Sequence, residues 1–326
     1  MSWFFDRPFA PEEADVLAAG VAEWLRSPEL RWLVENVPGR RGAGAAAEPL
    51  RWPGGIDERL DEGHADLGRV LGLLGALCEW ELPGTVWDYR EAGERSLQET
   101  LRSEPPVAAE EVAKRAEGLG LRSEGRLRTE PRTFVVLGGR RLAPLNRART
   151  AARAMLRLPP GPLRAVMLCG RRRLEPAEPA SEEVRAYAPA AQTERDLMAA
   201  AAERAFAGEP AVEVELIEVP DPAPGHRAST YETLRALGEA PGIGEGPLAI
   251  VTSPTCRPFQ YLEAARALGF GTGRRFELIA HPPAWASPAD PGPAQPHVYL
   301  QEIRSVIQAA CRLSRLAPVG SPAQGG

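Results

Sequence analysis

The sequence predicts an α/β chain: an all-helical N-terminal domain followed by a doubly wound parallel sheet of about five strands. Three observations predict it. Residues 1–128 carry helical apolar spacing and almost no strand pattern. From residue 133 onward, five short apolar runs alternate with amphipathic stretches, the signature of β-α units in series. The third is ordinary globular composition: 326 residues, 44% hydrophobic and 25% charged, enough to bury a sizeable core.

In the N-terminal part, Val16, Leu17, Val21, Trp24, Leu25, Leu30, Leu33 and Val34 recur at helical spacing. Ser27-Pro28 interrupts them, where proline opens a second helix. "PGRRGAGAAAEP" reads as a Gly/Ala loop, "ADLGRVLGLLGALCEWEL" as a further helix, and residues 108–118 as another. The strands follow at 133–138, 164–170, 211–219, 247–253 and 275–281, with helices at about 146–157, 193–206, 229–238, 257–268 and 298–313. Alternation of Val212, Glu213, Val214, Glu215 and Leu216 marks the third strand as a half-exposed edge. The expected domains are therefore 1–128, 129–316 and a disordered tail at 317–326.

Composition prunes function. A net charge of -5 with interspersed signs gives no footprint for nucleic acid. No apolar stretch reaches the roughly 18 residues of a membrane span, and "MSWFFDRPFAPEEADV" has no leader pattern, so a cytoplasmic protein is expected. Cys78, Cys169, Cys256 and Cys311 are scattered without C-x-x-C or nearby ligating histidines, which predicts reduced thiols and no zinc site. Strand ends poor in carboxylates predict no metal. Lys114, the only lysine, sits on a charged helix face, the opposite of the desolvated environment that pyridoxal phosphate chemistry needs.

In an open α/β sheet, ligands bind beyond the carboxyl ends of the strands. Five loops qualify: Gly138 to Arg141, Gly170 to Arg173, Asp221 to Thr230, Ser253 to Arg257, and His281 onward. Gly138 and Gly139 permit close approach, but neither G-x-G-x-x-G nor a P-loop is present. Arg147, one residue past a candidate N-cap at Asn146, would lie near the sheet top. Gly170 ends the second strand and Arg171 follows it, and Glu194 opens the helix after the long second loop as a dipole-stabilised carboxylate, a ligand for ribose hydroxyls or a general base. "STYE" is a capping box that leaves the Thr230 hydroxyl to a ligand, and His226 is the histidine candidate for acid-base work. "VTSPTCRPFQ" gathers Thr252, Ser253, Arg257 and Gln260 behind the fourth strand, outside any G-x-S-x-G elbow.

These strand-end residues, in order and spacing, resemble the ElyC/SanA/YdcF superfamily of Rossmann-like proteins: Val136-Leu137-Gly138-Gly139, Arg147, Leu168-Cys169-Gly170, Thr193-Glu194 with Met198, Ser229-Thr230 with Thr233, and Val251-Thr252-Ser253 with Arg257. Ser229 stands where the family usually has Asn, and Arg257 where distant members often have His. The chain is most similar to an uncharacterised actinobacterial group with an N-terminal helical extension, through "WDYREAGERSL", "VTSPTCRPFQ" and "YLQEIRSVIQAA". The resemblance implies a Rossmann-like fold of the YdcF-like type. It implies a nucleotide-like or S-adenosylmethionine-type ligand and a role in specialised metabolism. "WDYREAGERSL" would fold over the site and bring Trp87 or Arg95 to the ligand. Without a dinucleotide fingerprint, a transferase or hydrolase is expected rather than an oxidoreductase. A non-catalytic ligand-binding or regulatory protein and a phosphate-ester hydrolase stay open as alternatives.

Overall fold

The computed structural model describes residues 3–37, 40–41, 45–46, 109–176, 178–209, 211–223, 227–240, 243, 245–285 and 296–314. Trp87, Arg95, His226 and the helix expected within 65–82 lie outside these residues. The chain divides into two compact units. The first comprises Met1–Phe4, Glu12–Arg122 and Pro291–Gly326, the second Phe5–Pro11 and Ser123–Asp290.

The described part of the first unit is helical apart from a two-residue ladder, Arg40–Arg41 with Ala45–Ala46. Helix α1 spans Ala14–Leu25, α2 Pro28–Asn36 and α3 Ala109–Gly118. Ser27 ends one helix and begins the next: its hydroxyl accepts from the Leu30 N–H and Pro28 occupies the first turn, where no N–H is needed. Leu17, Val21, Trp24, Leu30, Leu33 and Val34 are buried, whereas Val16 lies off the buried stripe and is exposed. The Trp24 indole N–H donates to the Leu119 carbonyl at 3.1 Å, satisfying the polar edge of a fully buried ring.

The second unit holds a five-stranded, all-parallel sheet. Strand β1 is Thr133–Leu137, β2 Leu163–Gly170, β3 Val212–Val219, β4 Leu248–Thr252 and β5 Phe276–Ala280, in the order β3-β2-β1-β4-β5. Strands β1, β4 and β5 are mostly buried apolar residues, as strands covered on both faces require, with Thr252 and Glu277 the buried polar exceptions. Helix α4 (Ala143–Met155) follows β1, the short α5 (Glu182–Tyr187) and α6 (Glu194–Phe206) follow β2, α7 (Thr230–Glu239) follows β3, and α8 (Arg257–Ala264) follows β4. Phe134, Val136, Ala165, Met167, Ala249 and Val251 form one core with Leu145, Ala148, Leu197 and Ala201 of α4 and α6. Val135, Val166, Leu168 and Ile250, one residue out of phase, turn to the other face, and Leu234, Leu237 and Leu262 of α7 and α8 are buried outside that core. Helix α8 continues through one π turn, Ala265–Gly269, and stops at Gly273 in the left-handed conformation. Helix α9 (Pro296–Ser314) falls in the first unit.

Both edges are blunted. Strand β3 is the half-exposed edge that its alternating pattern predicts, and its Glu215 pairs with Arg164 of β2 at 2.5 Å. On β5, Phe9 exchanges two backbone hydrogen bonds with Phe276 and stacks on its ring at 4.9 Å. Cys169 and Cys256 are free thiols, but Cys311 is disulfide-bonded, which corrects the expectation of four reduced cysteines. Among the described residues, no helix is long and apolar enough to cross a membrane.

Candidate functional site

The strand order places a reversal between β1 and β4: the chain winds outward from β1 through β2 to β3, then crosses to β4 and β5. The crevice beyond that reversal is where open α/β sheets take ligands. Gly138 and Gly139 leave β1 there. The Gly138 N–H donates to the Leu168 carbonyl at 2.7 Å. A Cβ on Gly138 would collide with Glu194 Oε1, and one on Gly139 would come 3.0 Å from the Ala143 Cβ and 3.2 Å from Arg147 Nη1. The two glycines therefore make room for two charged side chains of this protein.

Helix α4 begins at Ala143 with Pro144 in its first turn, three residues earlier than its periodicity predicts. Asn146 consequently lies inside the helix and caps nothing; its amide donates to the Trp285 carbonyl, and the Trp285 ring stacks under the Arg153 guanidinium. Arg147 is almost fully buried. Its Nη1 donates to the carbonyls of Leu137 and Gly138, and its Nε and Nη2 reach Ser253 Oγ at 3.2 and 2.9 Å. Ser253 Oγ in turn lies 3.2 Å from His281 Nε2. One helix and two strand ends thus converge on a single hydroxyl.

Glu194 is the first residue of α6, held by a capping box in which Thr193 and Asp196 exchange side-chain and backbone hydrogen bonds. Its carboxylate is buried, 3.5 Å from Arg172 Nε. Arg172 is itself claimed by Glu178, which takes both Nη groups, and by the Gly139 carbonyl at 3.2 Å. With its nearest cation shared in this way, burial dominates and raises the Glu194 carboxyl above the usual range, against the pull of Arg172, Arg227 and Arg147. Burial, reinforced by the charge of Arg147, pushes the His281 imidazole down to about 4. Burial and the nearby carboxylates of Glu194 and Glu218 push the Cys169 thiol up to about 12, so it is an inert core thiol.

The other expected positions scatter. Thr252 donates to the Gln260 amide oxygen, so these two groups satisfy one another. Arg257 is buried and directs its donors to the carbonyls of Leu278 and Phe5, the Ser123 hydroxyl and the Asp6 carboxylate at 2.7 Å. It braces the N-terminal segment against the sheet. Arg171 is exposed and pairs with Glu218 at 2.9 Å. Thr230 opens α7 behind the Ser229 cap, and around Gly170 a Cβ would meet nothing within 4 Å. Arg172, Glu178 and His281 were not singled out by sequence reasoning. The strand-end rule selected the loops of Arg172 and His281, while Glu178 lies beyond the Gly170 to Arg173 stretch; what marks all three is burial, which single-sequence periodicity does not report for loop residues. Among the described residues, no group of three or more His, Cys, Asp or Glu could hold a metal ion.

No family model, curated protein or solved structure matches this chain.

Proposed function

We propose that the chain is a small-molecule enzyme of the YdcF-like type, binding a nucleotide-like or S-adenosylmethionine-type ligand in the crevice beyond β1 and β4. One observation carries the reading: a buried carboxyl at Glu194, raised above its usual range, faces the glycine turn of β1 while its nearest guanidinium, Arg172, is shared with Glu178. A cation belonging to Glu194 alone would hold this group ionised. A carboxyl raised in this way beside the end of β1 is suited to hold and transfer a proton. Arg147 supplies the positive charge for a carboxylate or phosphate of the ligand; Gly138 and Gly139 make room for Glu194 and Arg147, and Gly170, where a Cβ would meet nothing within 4 Å, lets the ligand approach the backbone.

The experiment is native mass spectrometry with thermal-shift titration against S-adenosylmethionine, S-adenosylhomocysteine and the common nucleotides. Saturable binding by one adenosyl compound supports the reading; failure of every one of them removes the ligand assignment. Glu194→Gln then separates chemistry from binding. Loss of turnover by about 100-fold or more with affinity kept is the expected result for an acid-base residue. Binding without turnover in the unaltered protein makes it a ligand-binding or regulatory protein instead.

A further inference from the structure

The polar atoms at the ends of β4 and β5 are arranged more specifically than ligand binding requires. Ser253 is the first residue past β4 and is half-buried. Its hydroxyl offers one proton and two lone pairs. Arginine can only donate, so the contacts from Arg147 Nε and Nη2 at 3.2 and 2.9 Å occupy the lone pairs. The proton is left for His281 Nε2, 3.2 Å away. On the far side of the ring, Nδ1 lies 3.0 Å from the Pro282 carbonyl oxygen, which can only accept. That partner assigns the ring proton to Nδ1 and turns the Nε2 lone pair toward Ser253. A backbone carbonyl here orients the imidazole as a carboxylate does in a catalytic triad.

We propose that Ser253 is a nucleophile with His281 as its base, and that it takes a phosphoryl group from a small phosphate monoester. The inference rests on the reading above only in placing the substrate beyond the strand ends. Phosphoryl rather than acyl transfer follows from two features. Pro254 comes next to Ser253 and has no N–H, so the backbone donor that acyl-transfer sites place beside the nucleophile is missing. Arg147 places a fixed, buried positive charge against the nucleophile, which complements a phosphate dianion.

In the step, one Arg147 donor moves from Ser253 Oγ to a phosphate oxygen and frees a lone pair; the Oγ–P bond forms from that pair as the bond from phosphorus to the ester oxygen breaks, and the Oγ proton passes to His281 Nε2. The leaving alkoxide, in line on the other side of phosphorus, takes a proton from water. The hydroxide so formed attacks the phosphoserine, inorganic phosphate departs, and Oγ recovers its proton from His281. Burial makes this imidazole a weak base. Two effects offset that weakness: the Arg147 fork stabilises the alkoxide, and a phosphate dianion beside Arg147 favours the imidazolium.

The test is covalent trapping of the full chain by a fluorophosphonate, which forms the same Oγ–P bond with loss of fluoride. One adduct per chain, mapped to Ser253, is expected. Ser253→Ala should take up none, His281→Asn should react about 100-fold more slowly, and Arg235→Ala, an exposed change on α7, should react as the unaltered protein does. Incubation with p-nitrophenyl phosphate followed by intact-mass measurement should show a phosphate adduct on the same serine. A folded, unaltered chain that takes no label overturns the proposal, as does label on another residue or a rate indifferent to His281. Adenosyl binding is measured separately, so either reading can fail while the other stands.

Discussion

Arg147 and Arg257 are both buried cations, but they answer to different demands. Arg257 is neutralised by Asp6 and spends its other donors on backbone and Ser123. Gly125 makes room for it: this residue sits at φ +71, where a side chain would be strained and would also strike the guanidinium. Arg257→Met removes one partner of a largely buried pair and should cost about 3–5 kcal/mol in urea denaturation. Glu194 gives the opposite sign. Its carboxyl is raised, so ionisation is harder in the folded protein than in the unfolded chain. Stability is therefore retained at low pH and falls as pH rises from the ordinary carboxylate range through the folded value. Glu194→Gln should melt above the unaltered protein at about pH 7–8 and lose that advantage below about pH 4. Calorimetry across that range checks it, and a lower melting point at neutral pH would show that the Arg172 contact outweighs burial.

At the level of elements, caps deliver the site residues. The Thr193–Asp196 box starts α6 one residue before Glu194, and the Ser229–Glu232 box starts α7 one residue before Thr230. Both boxes lie in the strings "TERD" and "STYE", and the second was legible from its S-x-x-E spacing. The start of α4 was not, because Leu142 caps it without a side-chain bond and nothing local distinguishes Ala143 from Asn146 as a beginning. Strand identities, their approximate limits and the edge position of β3 were legible from apolar runs and alternation. The Arg172–Glu178 pair was not: its partners join two loop positions that no periodicity links. Thr193→Ala should cost about 1 kcal/mol of stability. The α6 start would also loosen, so turnover by Glu194 should fall further than the stability loss alone explains; equal effects on both would make the cap purely structural.

For the whole molecule, the order β3-β2-β1-β4-β5 decides which of the five predicted loops can share one ligand. The ends of β1 and β4 adjoin the reversal and supply Gly138, Gly139 and Ser253; from the next position on either side, β2 brings Gly170 and Arg172, and β5 brings His281 to Ser253. A sequence names the loops but not their neighbours, which is why His281 gained its place only through the fold. Gly170 offers a clean test of the crevice. A methyl group there meets nothing within 4 Å, so Gly170→Ala should leave the melting temperature of the free protein within about 1 °C, since nothing is displaced. A ligand at a hundred times its Kd contributes about 2.7 kcal/mol, worth roughly 5–10 °C in a domain of this size. If that ligand lies against the end of β2, the added methyl occupies its path and the ligand-induced shift should shrink by at least about half. Thermal shift against S-adenosylmethionine, the proposed ligand, measures both quantities in one series. An unchanged shift would move the ligand away from β2, toward the β4 and β5 ends where Ser253 and His281 meet.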